Sequence, residues 1–409
     1  MHPADHSPVP DAGSLHPARV VVDVGAIRDN TAVLLERARR NGAEVMAVVK
    51  ADAYGHGLLP ATRAVLAGGA TVLGVAQVTE ALQLRAAGVT APVLAWLYSP
   101  RADLAPAVAA DVDLSVSSTT ALRQVAAAAV ATGRTASVHL KVDTGLARGG
   151  ATADCWDDLV AAAARARAEG VVDVAGVWSH LAWADAPDHP TVRGQGDAFA
   201  AAVATAEAAG LRPRWRHLAN SAATLTNASA HWDLVRPGIA LYGLSPVPDI
   251  AGPADLGLRA AMTVETELVL VKDVGAGQGV SYAHAYTTPS ATRLGLVPLG
   301  YADGVPRHAG GRGPVQVGGR RLTVAGRVCM DQLVVDLGPG AVDAAGDVAV
   351  LFGDAAAGVP TAQDWAVAAG TIGYEIVTRI GSRLPRTYVG AVPSGAVPSG
   401  GGHPGGAPS

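Results

Sequence analysis

Between residues 44 and 238 the chain alternates short apolar, β-branched runs with alanine-rich amphipathic stretches, and there are eight such runs. They are EVMAVVK (44–50), TVLGVA (71–76), PVLAWL (92–97), DLSVS (113–117), ASVHLKV (136–142), VAGVWSH (174–180), RWRHLA (214–219) and DLVRPG (233–238). Each run reads as a strand, and the intervening stretches, such as 152–169 and 192–210, are long enough for crossover helices. Eight strand and helix units in about 200–250 residues predict an α/β fold, a (β/α)8 barrel of the TIM type, within residues 18–255.

After about residue 256 the texture changes to short alternating strands broken by Gly and Pro. This predicts a mostly antiparallel β domain over 256–388 with one helix near 361–370. The run ARVVVDV (18–24) finds no slot in the barrel and is expected to pack with the β domain. Residues 1–17, rich in proline, and 389–409, which repeat AVPSG, contain nothing able to form a core and are expected to be disordered.

A formal charge of −4 with scattered basic residues offers no footprint for nucleic acid. No run reaches the roughly 18 apolar residues of a membrane span, and the first 17 residues lack the basic start and apolar stretch of an export signal. A cytoplasmic protein with neither nucleic acid nor membrane as partner is expected. Its two cysteines, Cys155 and Cys329, fit a reducing compartment and stand outside any metal-ligand spacing, so no metal is expected.

Among 31 Lys and Arg residues only Lys50, Lys141 and Lys272 are lysine. Retained lysines in so arginine-rich a chain suggest chemistry closed to arginine, because lysine can lose its proton and attack a carbonyl. Reactive groups of such a barrel lie where strands end. There the chain has Lys50 followed by Tyr54, Lys141 leading through Asp143 to Arg148, His180, the stretch HLANSA (217–222) and RPG (236–238). A lysine completing an apolar strand in a barrel mouth is desolvated, which favours its neutral form; the alternative is a lysine reaching to the rim. Ser221 before a helix and the amides of Gly238 and Ile239 are suited to a phosphate, or are ordinary cap and turn residues. An amine that joins an aldehyde beside a phosphate seat points to pyridoxal 5′-phosphate.

Nine ordered segments, AVVKADAYGHG, LKVDTGLARGG, WSHLAWAD, HLANSA, VRPGIALYG, GVSYAHAY, PLGYADG, VCMDQ and TIGYEIVTRI, resemble the motifs of the alanine racemases, fold-type III pyridoxal-phosphate enzymes, from about residue 18 to 388. The resemblance implies interconversion of L- and D-alanine by two bases, with the D-alanine used in peptidoglycan, and a head-to-tail homodimer with shared sites. It implies that Lys50 is joined to the cofactor, with Tyr282 as the second base from the other subunit. Arg236 would face the pyridine nitrogen; Tyr54, Ser221, Gly238, Ile239 and Tyr374 would hold the phosphate; His180 would lie against the ring. Arg148 and the backbone at Met330 would meet the substrate carboxylate, and Tyr301 and Asp331 would line the way in. Lys141 matches a lysine that many members carbamylate. Lys272 has no role.

Two departures bear on specificity. The family commonly reads SYG where this chain has Ser281-Tyr282-Ala283, and TINYE where it has Thr371-Ile372-Gly373-Tyr374-Glu375. A racemase that also takes serine, or a pyridoxal-phosphate carrier without turnover, are the other readings; the β domain and Tyr282 speak against the carrier.

Overall fold

The computed structural model describes residues 15–391. Its first strand is β1 (Ala18–Asp23); β2 (Glu44–Val48), β3 (Val72–Gln77), β4 (Val93–Leu97), β5 (Asp113–Val116), β6 (Ala136–Lys141), β7 (Val172–Trp178), β8 (Trp215–His217) and β9 (Leu234–Val235) follow. β2 to β9 make one eight-stranded sheet of parallel pairs, with β9 beside β2. The two ends also meet. The Asp233 amide donates to Arg216 O at 3.1 Å and the Arg236 amide to Ala219 O at 2.8 Å, so the sheet closes into the (β/α)8 barrel that the alternation predicts. The run 233–238 yields only a two-residue strand, since Pro237 has no N–H to give a ladder.

The crossover helices follow from local signals. In Thr119–Thr132 the Ser118 hydroxyl accepts from the Ala121 amide, Leu122, Val125 and Ala129 turn inward, and Gly133 at φ 65° ends the helix. Such stripes bury the main core between barrel and helices. Inside the barrel a small separate cluster, Met46, Val72, Leu94, Trp215 and Leu234, fills one layer. Toward the mouth the filling becomes aromatic and polar: the Trp96 and Trp178 rings lie 6.0 Å apart, and the His217 ring lies parallel to Trp178 at 5.6 Å. Gly176 makes room there, because a Cβ on it would stand 2.3 Å from His139 Nδ1.

β1 belongs to the second domain. It pairs antiparallel with β10 (Met262–Glu267), Val20 opposite Val264, and parallel with Arg386–Val389, Val20 opposite Arg386. Its alternating burial matches one covered face of that six-stranded sheet, which is mostly antiparallel. The domain holds two helices where one was expected. Ala362–Ala369 is started by a reciprocal Thr361 and Asp364 box and stopped by Gly370 at φ 69°. Gly373–Thr378 follows at once; six residues rich in β-branched side chains carry no helical period of their own.

The segments expected to be disordered lie outside the described residues except at their inner edges. There the structure departs from the expectation, because backbone pairing holds the chain: Pro17 O accepts from the Glu267 amide at 3.1 Å, and the last strand extends to Val389. No helix among the described residues is long and apolar enough to cross a membrane.

Candidate active site

β2 stops at Val48, and Lys50 opens a tight turn at the C-terminal mouth of the barrel. The alternation predicts a strand running through Lys50; instead Ala51, Asp52, Ala53 and Tyr54 all have left-handed φ, between 53° and 55°. Each such residue costs about 1–2 kcal/mol relative to right-handed backbone, so surrounding contacts must hold the turn. Glu80 Oε1 accepts from the Ala51 amide at 2.6 Å, and Asp52 Oδ1 accepts from the Leu58 amide at 2.7 Å. Gly55 follows at φ 81°, where a Cβ would stand 2.6 Å from Val377 O. The turn sets Lys50 Nζ 5.9 Å from the ring centres of both Tyr54 and Trp96. Burial, then the charge of Arg148, lowers the Lys50 pKa against the opposing pull of Glu80.

Across the mouth, Ser221 begins the helix Ser221–Thr226, capped by the Asn220 side chain. Its Oγ accepts from the Gly238 amide at 2.7 Å and the Ala240 amide at 3.4 Å. Gly238 lets Tyr54 lie over this turn, since a Cβ there would be 2.3 Å from Tyr54 Oη. The Tyr54 ring packs 5.0 Å from Tyr242 and 6.4 Å from Tyr374. Burial raises the pKa of Tyr54 and Tyr374, so both remain O–H donors near neutrality. Hydroxyls and amides around one helix start, with Ile239 buried beside Gly238, make a cradle for an anion.

Arg236 is only 5 % exposed. Nη2 donates to Ser179 O at 2.7 Å and Leu218 O at 3.2 Å, Nη1 meets His217 Nδ1 at 3.2 Å, and Cζ lies 4.9 Å from the Trp178 ring centre. Burial pushes the guanidinium down to about 9, which leaves it charged near neutrality. Lys141 Nζ sits 4.4 Å from the Trp178 ring centre; burial, then Arg236 and Arg148, lowers it to about 8 against Asp143. His180, with Nδ1 3.5 Å from Arg236 Nη2, is driven well below its usual value by burial and then by Arg236, Arg148, Lys141 and Lys50. It is therefore neutral. Among the described residues no carboxylate forms an ion pair with Lys50, Lys141, Arg148 or Arg236. Arg148 and Arg236 bear on Lys141, and Arg148 on Lys50, so positive charge gathers in one mouth and suits a polyanionic ligand.

The β-domain candidates form a second group. The Tyr301 amide donates to Cys329 O at 3.0 Å, the Ala302 amide to Met330 O at 2.9 Å, and Ser281 Oγ to Arg327 O at 2.8 Å. Arg383 bridges Asp331 at 2.9 Å and Asp303 at 3.5 Å. These loops make one unit carrying Tyr282, Met330 and Tyr301, which are 69 %, 54 % and 38 % exposed. Ala283 takes φ 57°, left-handed backbone that a glycine adopts without strain. Gly373 faces Leu244 and Gln363, where a Cβ would have contacts of 3.0 and 3.4 Å.

The sequence of the whole frame is recognisable. The alanine racemase N-terminal domain family matches residues 22–246, and the alanine racemase C-terminal domain family matches residues 261–388. The chain belongs to the alanine racemase family. The alanine racemase of Beutenbergia cavernae is 60 % identical over 375 residues, 92 % of this chain and 98 % of the relative. That of Frankia casuarinae is 58 % identical over 369 residues, covering 90 % and 95 %. Among solved structures, the alanine racemase from D-cycloserine-producing Streptomyces lavendulae superposes with a TM-score of 0.91 at 53 % identity, covering 92 % of this chain and 98 % of that one. The Streptomyces coelicolor enzyme gives 0.90 at 56 %, covering 93 % and 100 %. Both alanine racemase domains are thus present, over residues 22–246 and 261–388.

Sequence reasoning missed residues that shape this racemase mouth from behind. Glu80 holds the Lys50 turn and also accepts from the Ala76 and Gln77 amides, both at 2.9 Å. Its place three residues after Gln77 is a capping-box signal that was open to reading. Trp178 closes β7, where a strand-end search reaches it; His217 begins the HLANSA stretch at the end of β8, and His139, inside β6, carries no such signal.

Proposed function

We propose that the chain is a pyridoxal 5′-phosphate-dependent alanine racemase, acting in the cytoplasm as a homodimer and supplying D-alanine for peptidoglycan. The observation that carries this reading is the convergence of a desolvated lysine, the positive charge of Arg148 and Arg236 and a hydroxyl-lined helix start on one barrel mouth. The donor set fits the cofactor. Ser221, Tyr54, Tyr374 and the Gly238 and Ile239 amides would hold its phosphate, Lys50 its aldehyde carbon, Arg236 its ring nitrogen, and His180 its ring face. When bound, the cofactor withdraws electrons from the amino acid's Cα and makes that proton removable.

The chain's own groups then decide where the proton goes. Lys50 Nζ, whose pKa burial lowers toward the neutral amine, takes or returns it on one face, and Tyr282 of the partner subunit serves the other. Arg148 with the Met330 backbone orients the carboxylate, and Tyr301 and Asp331 line the approach. Arg236, which cannot readily surrender a proton, would leave the cofactor's ring nitrogen unprotonated and so favour return of the Cα proton over transamination. Purified protein is expected to convert L-alanine to D-alanine in a chiral assay, and a protein that binds pyridoxal phosphate yet forms no D-alanine would leave the carrier reading standing. The departures at Ala283 and Gly373 change the neighbours of Tyr282 and Tyr374, and a pocket that also turns over serine is the second reading. The ratio of kcat/KM for the two amino acids decides between them.

Gly238→Ala is expected to displace Tyr54, lowering stability by about 1–3 kcal/mol through overpacking and weakening pyridoxal phosphate by about tenfold or more. Thermal unfolding and a cofactor titration measure the two effects.

Lys141 would carry a carbamate that pairs with Arg148. Only the neutral amine attacks carbon dioxide, and at about 8 roughly half of Lys141 is neutral at pH 8, where a lysine at 10.5 would be almost wholly charged. The proton is lost as pH rises through about 8, so uptake of labelled bicarbonate at Lys141 should grow from pH 6.5 to 9, as read by carbon-13 NMR. Lys141→Arg is expected to lose the signal and to raise KM for alanine.

A further inference from the structure

A line of buried polar groups runs from the catalytic mouth back through the barrel. Arg236 Nη1 stands 3.2 Å from His217 Nδ1, His217 Nε2 stands 2.8 Å from His139 Nδ1, and His139 Nε2 faces Asp113 Oδ2 at 3.5 Å. Both histidines are wholly buried, and His139 Nε2 makes no hydrogen bond among the described residues, the Asp113 carboxylate at 3.5 Å being the charge it faces. Asp113 is the first residue of β5, at the end of the barrel opposite the mouth, and its side chain is 12 % exposed. We propose that Asp113 is a positioning residue for Arg236, acting across the barrel through His139 and His217.

The order of the hydrogens has one solution. Arginine only donates, so His217 Nδ1 must accept. Burial, then Arg236 and His139, drives the His217 pKa well below its usual value, so the ring is neutral and its single hydrogen is on Nε2. That hydrogen goes to His139 Nδ1, and His139 in turn carries its own on Nε2, toward the carboxylate. The rings cannot rotate to escape this order. His139 stacks on Trp215 at 5.8 Å and abuts the Gly176 backbone, while His217 lies parallel to Trp178 at 5.6 Å. Only protons can move.

Asp113 holds the line at one end as Arg236 does at the other. Without an acceptor at 113, His139 gains the option of placing its hydrogen on Nδ1. Two N–H groups would then oppose each other at the His139–His217 contact, or His217 would switch tautomer and oppose the guanidinium. Either outcome turns Arg236 from its place in the mouth. Arg85, on the helix Val78–Ala86, is the charged group facing Asp113 from outside the line.

The proposal rests on the reading of Arg236 as an active-site residue, and its test has an arm that needs no turnover. Protein labelled with nitrogen-15 histidine, with and without pyridoxal phosphate, reports each ring tautomer by NMR. Asp113→Ala is expected to give a second tautomer at His139 and His217 in both forms and to lower kcat about thirtyfold or more with KM for alanine unchanged. Asp113→Asn, whose amide oxygen accepts the same hydrogen, should restore the wild-type ring pattern and most of kcat. Wild-type ring signals in Asp113→Ala overturn the proposal, as does a wild-type kcat. If Asp113→Ala does not fold, His139→Gln decides by the same kcat and KM measurement: a loss in kcat alone supports the line, and wild-type kcat overturns it. A protein that racemises nothing refutes the proposed activity, and the ring signals still decide Asp113.

Discussion

Lys50→Ala protein is expected to form no D-alanine above background, a loss of at least about a thousandfold, and to release its pyridoxal phosphate on gel filtration. Borohydride reduction of the wild-type enzyme followed by peptide mapping should find the pyridoxyl group on Lys50 alone. The chain simplifies the experiment, because Lys141 and Lys272 are the only other lysines. Lys141 is the competitor worth excluding. It shares the mouth, and burial lowers it also, to about 8. What separates the two is the left-handed turn from Ala51 to Tyr54, which ties Lys50 to the phosphate cradle through Tyr54 and Gly238. Lys50→Arg is expected to be as inactive as Lys50→Ala, because a guanidinium neither joins an aldehyde nor takes up a proton. A pyridoxyl label on Lys141 would break the site assignment while leaving the fold and family untouched.

Tyr282→Phe is expected to keep the cofactor and to lose about 10²–10⁴-fold in proton exchange from one enantiomer, with a much smaller loss from the other. Deuterium uptake at Cα from each enantiomer measures this asymmetry. The stronger form of the experiment uses two inactive proteins. Tyr282 is 69 % exposed in its own chain, and the proposed dimer has each site borrow the residue from its partner. Unfolding and refolding Lys50→Ala with Tyr282→Phe should give hybrid dimers in which one site is whole and the other doubly defective. Random pairing then restores about a quarter of wild-type activity. Mixtures that stay inactive would show that Tyr282 does not act across a subunit boundary.

Much of the barrel was legible because its strands are buried on both faces and separated by amphipathic helices, which leaves a periodic record in the chain. Strand ends were legible for the same reason. Lys50, Lys141, His180 and Arg236 stand where apolar runs stop. The backbone at Lys50 was not legible. Four consecutive left-handed residues, three of them alanine or aspartate, contradict local preference; Glu80 holds them from elsewhere in the chain, and Asp52 helps by accepting from the Leu58 amide. The second helix of the β domain was hidden likewise, since Gly373–Thr378 is too short to display a period.

Buried polar contacts were the other hidden class. His139 reads in sequence as one polar residue in an apolar strand, and Asp113 as the start of another. Only closure of the sheet brings them into line with His217 and Arg236.

The sequence by itself determined the barrel, the family and the candidate chemistry, since apolar periodicity and residue identity are properties of the chain read in order. The tertiary structure decided the twist of backbone that presents Lys50, the depression of its pKa and of Lys141, and the exposure of Tyr282. Those depend on desolvation and on charges from distant segments, and such quantities exist only once the chain has brought the segments together.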